Sequence, residues 1–315
     1  MRRGRAMRLR GRILRTTVVV AAAASSGCVL WPAAGVEAQA RNGAGEREIE
    51  LLREAEARER DGDLRGAEDR FRRVLESRPT ALNALLGLER VLRMQGELAT
   101  VLPFAERLLE EDPESPLGHQ IVLRTLSSLN RPEALEEAGE AWIGTTPDVE
   151  TPYREIARVW RSRGRTDRAI EVLERGRERL GASAFALELG GLYAGSGRVD
   201  EAVVEWSRAV GTEAEGLLRV RRRIRALPDG GAAVLPGLTD ALTEEPSTLA
   251  RRRAAAELAL DAGLSGRAER IGREVAGELE GRARENFLIE MARGSDAVRL
   301  YRVAYWAYGE LLDGR

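Results

Sequence analysis

Apolar residues recur along most of the chain at the spacing of a buried helical face. Tyr153, Ile156, Ala157 and Trp160 are followed, across Gly164, by Ala169, Leu173 and Gly176. Leu189, Gly190 and Tyr193 are followed, across Gly197, by Ala202, Trp206 and Ala209. Steps of i, i+3, i+4 and i+7 mark one side of an α-helix, so each stretch predicts two amphipathic helices joined by a tight turn. The turns keep a period. Gly62, Gly96, Asn130 and Gly164 lie 34 residues apart, Gly197, Gly230 and Gly263 follow at 33, and Gly294 closes the series at 31. Gly and Asn tolerate the left-handed conformation that ends a helix. Pro79, Pro113 and Pro147 repeat the 34-residue step. Five residues after each turn stand Ala67, Val101, Leu135, Ala169, Ala202, Leu235, Ala268 and Arg299. All but the last are apolar, and a small residue there lets two helices approach closely.

A two-helix unit cannot bury its apolar face alone, so such units stack and the outermost ones are atypical. Unit one carries Glu54 and Arg58 where middle units carry Ile156 and Trp160, and the spacing predicts an i, i+4 ion pair. Unit six places Arg222 and Arg223 at apolar or small positions, and the last unit, DAVRLYRVAYWAYGELLDGR, breaks the pattern. On the residues around Gly164 and Gly197 the unit resembles the tetratricopeptide repeat (TPR), a resemblance that extends in period over residues 46–315. It implies an all-α, right-handed α-solenoid of about eight stacked helix-turn-helix hairpins. It also implies a concave groove, lined by the first helices, that binds extended or helical peptides. The organisation expected is a leader at 1–40, five well-matched units at 41–215, and three degenerate units with a C-terminal capping helix at 216–315.

The 315 residues carry 50 cations, all Arg, against 51 acids, and aromatics are only 4%. One Cys and one His exclude a disulfide framework, a Cys-ligated zinc site and any two-His metal motif. The charges are unevenly placed. Residues 1–15 hold seven Arg and no acid, residues 16–36 hold no charge, and Ala38-Gln39-Ala40 follows Glu37. A basic start, an apolar stretch and a small-x-small end form the pattern of a secretory signal peptide cleaved after Ala40. An uncleaved membrane anchor is the alternative. Ser26-Gly27-Cys28 offers another, since it partly resembles a lipoprotein signal in which Cys28 is acylated, with Ser25 where an aliphatic residue is usual. Without residues 1–40 the chain has 43 Arg against 50 acids, a net charge of −7, which argues against general nucleic-acid binding.

His119 falls at the position of Tyr153 one unit earlier, a packing position, and no nucleophile or metal-ligand motif accompanies it. No catalytic residue, cofactor or metal site is expected. Arg219, Arg221, Arg222, Arg223 and Arg225 are expected on a solvated face paired with neighbouring acids, as are Arg251, Arg252 and Arg253; a polyanion contact is the alternative. Arg90, Arg124 and Arg158 recur at the array period, six residues before the turn, with Arg93, Arg154 and Arg161 nearby. On the groove side implied by the resemblance they would form a row. Guanidinium forks match carboxylates, so the row suits an acidic segment or a chain terminus unless neighbouring glutamates neutralise it. Val298, Tyr301, Tyr305, Tyr308 and Leu312 share a helical stripe that excludes Trp306. It is expected to cover the apolar end of the array, with an association surface as the alternative.

These features describe a non-catalytic protein- or peptide-binding scaffold of the bacterial cell envelope, exported to the periplasm or envelope, with anchoring or lipidation through its N-terminal segment as the alternative to cleavage. A periplasmic adaptor of a secretion or polysaccharide-export system is one alternative, and a helical-repeat enzyme acting on envelope polymers is another. The Lys-free, Arg-rich usage fits a GC-rich bacterial genome. Mass spectrometry of the natively expressed protein is expected to find Arg41 at the N-terminus. An intact Met1 in a cytosolic fraction would contradict export, and acylation at Cys28 would replace cleavage after Ala40 with the lipoprotein route.

Overall fold

The computed structural model describes the backbone of residues 34–313 and side chains from residue 45 onward. Residues 1–33, with Cys28 and the uncharged run up to residue 33, lie outside the described residues. The chain divides at Ile49/Glu50 into two units, and the helical array is the second. Among the described residues there are sixteen α-helices and no strand. They pair along the chain as α1 (Ala34–Arg60) with α2 (Leu64–Ser77), and α3 (Leu82–Gln95) with α4 (Leu102–Glu111). Next come α5 (Pro116–Ser128) with α6 (Pro132–Thr145), α7 (Glu150–Ser162) with α8 (Thr166–Leu180), and α9 (Ala186–Gly195) with α10 (Val199–Val210). The last three pairs are α11 (Leu217–Arg225) with α12 (Leu235–Ala241), α13 (Leu249–Asp261) with α14 (Ser265–Glu278), and α15 (Gly281–Ala297) with α16 (Tyr301–Asp313). Contacts run between neighbours in the series, as in an all-α solenoid of stacked hairpins.

The turns are built alike. Gly62, Gly96, Asn130, Gly164, Gly197 and Gly263 all have positive φ. At each, two backbone N–H groups turn back onto the end of the first helix, as when Gly164 donates to Arg161 O and Arg165 to Trp160 O, both at 2.9 Å. This pair of bonds satisfies carbonyls that a helix end otherwise leaves unpaired. The eighth turn corrects the sequence reading. Gly294 lies inside α15, and the left-handed residue is Arg299, φ 61°. A Cβ on Gly294 would come 3.1 Å from Leu260 Cδ1, so this glycine serves the approach of α15 to α13. With the turn at Arg299, the residue five places on is Ala304, which is buried. The small or apolar residue after each turn is then buried in all eight hairpins.

Helices approach closely, within hairpins and between them, where a glycine faces a large side chain. A Cβ on Gly190 would clash with the Trp206 ring at 2.4 Å, and one on Gly87 with the Phe71 ring at 2.3 Å. On Gly176 it would lie 2.7 Å from the ring of Tyr153, and on Gly272 2.8 Å from that of Trp306. Trp206 is fully buried and donates from Nε1 to Leu187 O at 3.4 Å. Tyr193 is buried beside it and donates to Glu174 at 2.5 Å; burial, then this bond, pushes its hydroxyl up to about 12.

Three local expectations change. Glu54 and Arg58 do not pair with each other: Arg58 reaches Asp63 in the turn at 2.6 Å and Glu54 receives Arg70 of α2 at 2.7 Å, bracing the hairpin across its helices. The sixth hairpin is open, with nine residues, 226–234, between its helices. There α11 packs on α9 and α10 while α12 packs on α10 and α13. Arg251 of α13, expected on a solvated face, is buried at this junction. It donates to Ser207 O at 3.1 Å and Gly211 O at 3.4 Å near the end of α10, and to Ala241 O at 3.0 Å at the end of α12. Two helix C-termini, each carrying partial negative charge, take the place of a carboxylate. Third, the stripe of α16 faces solvent. Its inward residues are Val303, Ala304, Trp306 and Ala307, because Gly272 of α14 leaves room for the indole on that side.

Replacing Trp206 by Ala is expected to cost ~3–5 kcal/mol of stability. Urea denaturation measures it, and a loss below about 1 kcal/mol would contradict the packing.

Candidate functional site

The six arginines of the row fall into two groups. Arg90 and Arg124 each present a two-pronged contact to an acid on the preceding first helix, Glu59 for Arg90 and Glu89 for Arg124. Arg93 also binds Glu89, whose side chain is buried between the two guanidinium groups. A buried carboxylate requires such partners, so Arg90 and Arg124 join successive units while Arg93 completes the neutralisation of Glu89 along its own helix.

Arg154, Arg158 and Arg161 of α7 line a concavity of about 310 Å³ that crosses α7, α9 and α11. Its floor is apolar and small, with Ala157, Leu187, Gly191 and Leu192, and Leu227 closes it beyond α11. Gly191 is central to this shape: an added Cβ there would meet nothing within 4 Å. The missing side chain at Gly191 leaves room in the trough beside Leu187 and Leu192 of α9.

Its charges are only partly neutralised. Arg154 is held between Glu150 at 2.6 Å and Glu188 at 2.9 Å, with its guanidinium 5.5 Å over the Phe185 ring. Arg158 pairs with Glu155 at 2.9 Å along the helix and is largely exposed. Arg161 enters no ion pair among the described residues. Neither does Arg223, which reaches the same trough from α11. Two free guanidinium groups over an apolar floor can take a carboxylate or another anion attached to an apolar side chain.

Arg223 was separable from its cluster only in three dimensions. Arg221 binds Asp261 at 2.8 and 2.9 Å and Glu257 at 3.1 Å, and Arg225 binds Asp261 at 3.2 Å, so these two tie α11 to α13. The run of five therefore serves two faces of α11. Arg252 and Arg253 pair with Glu278 and Glu290, as expected.

A second concavity, about 400 Å³, lies across α11, α13 and α15, with Phe287 and Met291 at its base. Its rim cations, Arg221 and Arg253, are already held by Asp261, Glu257 and Glu290. It is larger, but it offers an anion no free donor, whereas the α7–α9–α11 trough does.

His119 takes the packing role expected of it. Its ring stacks on Trp142, centroids 4.9 Å apart and planes at 8°, and Nε2 bonds Pro113 O at 2.8 Å. One unit later Tyr153 donates to Pro147 O at 2.9 Å. Burial lowers the imidazole pKa, which favours the neutral ring. Among the described residues no cluster of three or more His, Cys, Asp or Glu could hold a metal ion. No helix among them is long and apolar enough to cross a membrane.

No family model matches the chain, and no curated protein matches it. Among solved structures it is similar to MamA, with 22% identity over 53% of this chain and 91% of that one, TM-score 0.37. It is similar also to a thermophilic TPR protein of Thermus thermophilus, with 21% identity, 60% of this chain, 99% of that one and TM-score 0.36. A third is pilF of Pseudomonas aeruginosa, with 18% identity, 68% of this chain, 99% of that one and TM-score 0.37.

Proposed function

We propose that the protein is a non-catalytic scaffold that receives an acidic peptide segment or a chain terminus in the α7–α9–α11 trough. The observation that carries this reading is the convergence of Arg154, Arg158, Arg161 and Arg223 on one apolar-floored concavity, two of them without a carboxylate partner among the described residues. Geometry favours a peptide over a small metabolite. The trough is open along the stack, and its cations are spread over two helices separated by a third. An extended segment could place carboxylates on either side of an apolar residue seated on Gly191. Arg90, Arg93 and Arg124 extend the row in sequence, but their carboxylate partners make them supports of the stack and not ligands.

The setting proposed is the bacterial cell envelope, where the scaffold would support assembly of a complex after export. The basic, uncharged and small-x-small succession of residues 1–40 supports this reading. Anchoring by that segment, or acylation of Cys28, would hold the scaffold at the membrane.

The test separates the floor from the charges. Pull-down from membranes of the source organism supplies the partner, and binding is then compared among variants. Arg158, Arg161 and Arg223 changed together to Gln should weaken binding at least tenfold with helicity intact. Tenfold is about 1.4 kcal/mol, below the ~1.5–3 kcal/mol of one charge-assisted contact, which allows for the exposure of the site. Gly191→Leu should fill the trough, weaken binding similarly and leave stability unchanged or raised, since Gly is a poor helix former. Binding should also fall with salt, because exposed charges are screened over ~8–10 Å. Unchanged affinity of both variants at low salt would place the site elsewhere.

A further inference from the structure

The outward face of α16 is a stripe of large side chains that nothing in the array covers. Tyr301 is 66% exposed, Tyr305 85%, Tyr308 43% and Leu312 69%. At 100° per residue the four helical positions fall within about 60° of the circumference, so they form one continuous strip. A strip of this kind on a soluble surface marks an interface. We propose that its occupant is the same strip of a second copy of this chain, the two α16 helices packing antiparallel about a two-fold axis.

Three observations select a second copy. The first is the spacing. Tyr301, Tyr305, Tyr308 and Leu312 are separated by four, three and four residues, a sequence that reads the same in both directions. A two-fold interface must be complementary to itself after reversal. With the axis midway between Trp306 and Ala307, Tyr301 meets the partner's Leu312 and Tyr305 meets the partner's Tyr308. Gly309, which has open space where a Cβ would stand, lies close to the axis and permits near approach of the helices.

The second observation is charge. Within the strip itself there is none. At its two ends stand Arg299 and Asp313, both exposed and without an ion pair among the described residues. Reversal brings Arg299 of one copy level with Asp313 of the other, at both ends of the contact. The flanking charges do not compete: Arg302 is held by Glu269 at 2.7 Å, and Glu310 binds Arg284 and Arg273. The Tyr308 hydroxyl donates to Asp296 at 3.2 Å, which fixes the ring edgewise on the strip.

The third is area. At about 200 Å² for a whole tyrosine, the exposed parts of the three tyrosines come to roughly 400 Å² per copy. Leu312 raises the total over two copies to roughly 1,000 Å², the lower edge of specific interfaces. The association is therefore reversible, with a Kd in about the micromolar range.

Sedimentation equilibrium of the purified chain tests the pairing. The wild type should pass from monomer to dimer as concentration rises through the micromolar range. Tyr305→Glu places a charge beside the axis at a position that is already solvated, so it should leave the helical signal unchanged and abolish the dimer. Cross-linking reports the geometry. In a Cys28→Ser background, Tyr305→Cys mixed with Tyr308→Cys should give a disulfide-linked pair under mild oxidation. A wild type that stays monomeric throughout would overturn the proposal. So would a dimer that survives Tyr305→Glu, since another surface would then hold it. A dimer lost in Tyr305→Glu that yields no 305–308 cross-link would overturn the antiparallel pairing.

Discussion

Packed helices, within a hairpin and between successive hairpins, meet where one backbone lacks a Cβ and the other helix presents a ring. Gly87 receives Phe71, Gly190 receives Trp206 and Gly272 receives Trp306. With aromatics at only 4% of the chain, each ring is placed where it fills the most space. A glycine inside a helix costs about 0.5–1 kcal/mol relative to Ala. Burying an aromatic side chain against it offsets that cost several times over. Close approach fixes the fifth hairpin at Gly190 and sets one hairpin against the next at Gly87 and Gly272.

The trough follows from the same economy of side chains. Helix α9 is short and rich in glycine; Gly190 faces inward to admit Trp206, while Gly191 faces outward and leaves the floor open. The charges stand on the flanking helices, α7 and α11, on either side of that floor. Where the sixth hairpin opens, the stack is kept continuous by Arg251, which gathers carbonyls from the ends of α10 and α12. In this irregular unit α11 still packs on α9, which brings Arg223 to the rim of the trough across the floor from α7.

Much of the array was legible in the sequence, because turn glycines and the small residue five places later obey a period that chance does not supply. What the sequence hid has particular causes. A glycine for a turn and a glycine for close packing are the same letter, so Gly294 stood in for the turn that Arg299 makes. Arg251 carries no acidic partner at any spacing, since its ligands are backbone carbonyls. The periodic arginines were visible, but their glutamate partners lie about one unit away. Only the fold shows that Arg90 and Arg124 are engaged while Arg161 is free. Helix α16 is apolar on two sides, and periodicity cannot say which side faces in. Gly272, some thirty residues upstream, decides that Trp306 does.

The dependence of the fold on glycine–ring contact is tested most directly by a double-mutant cycle at Gly190 and Trp206, read by urea denaturation. In an unconstrained helix Gly190→Ala would stabilise by about 0.5–1 kcal/mol. Against Trp206 it should instead destabilise by about 1–3 kcal/mol, the cost of overpacking. In a Trp206→Leu background the penalty should vanish or reverse sign. A Gly190→Ala substitution that stabilised the wild type, or that had the same effect in both backgrounds, would contradict the dependence.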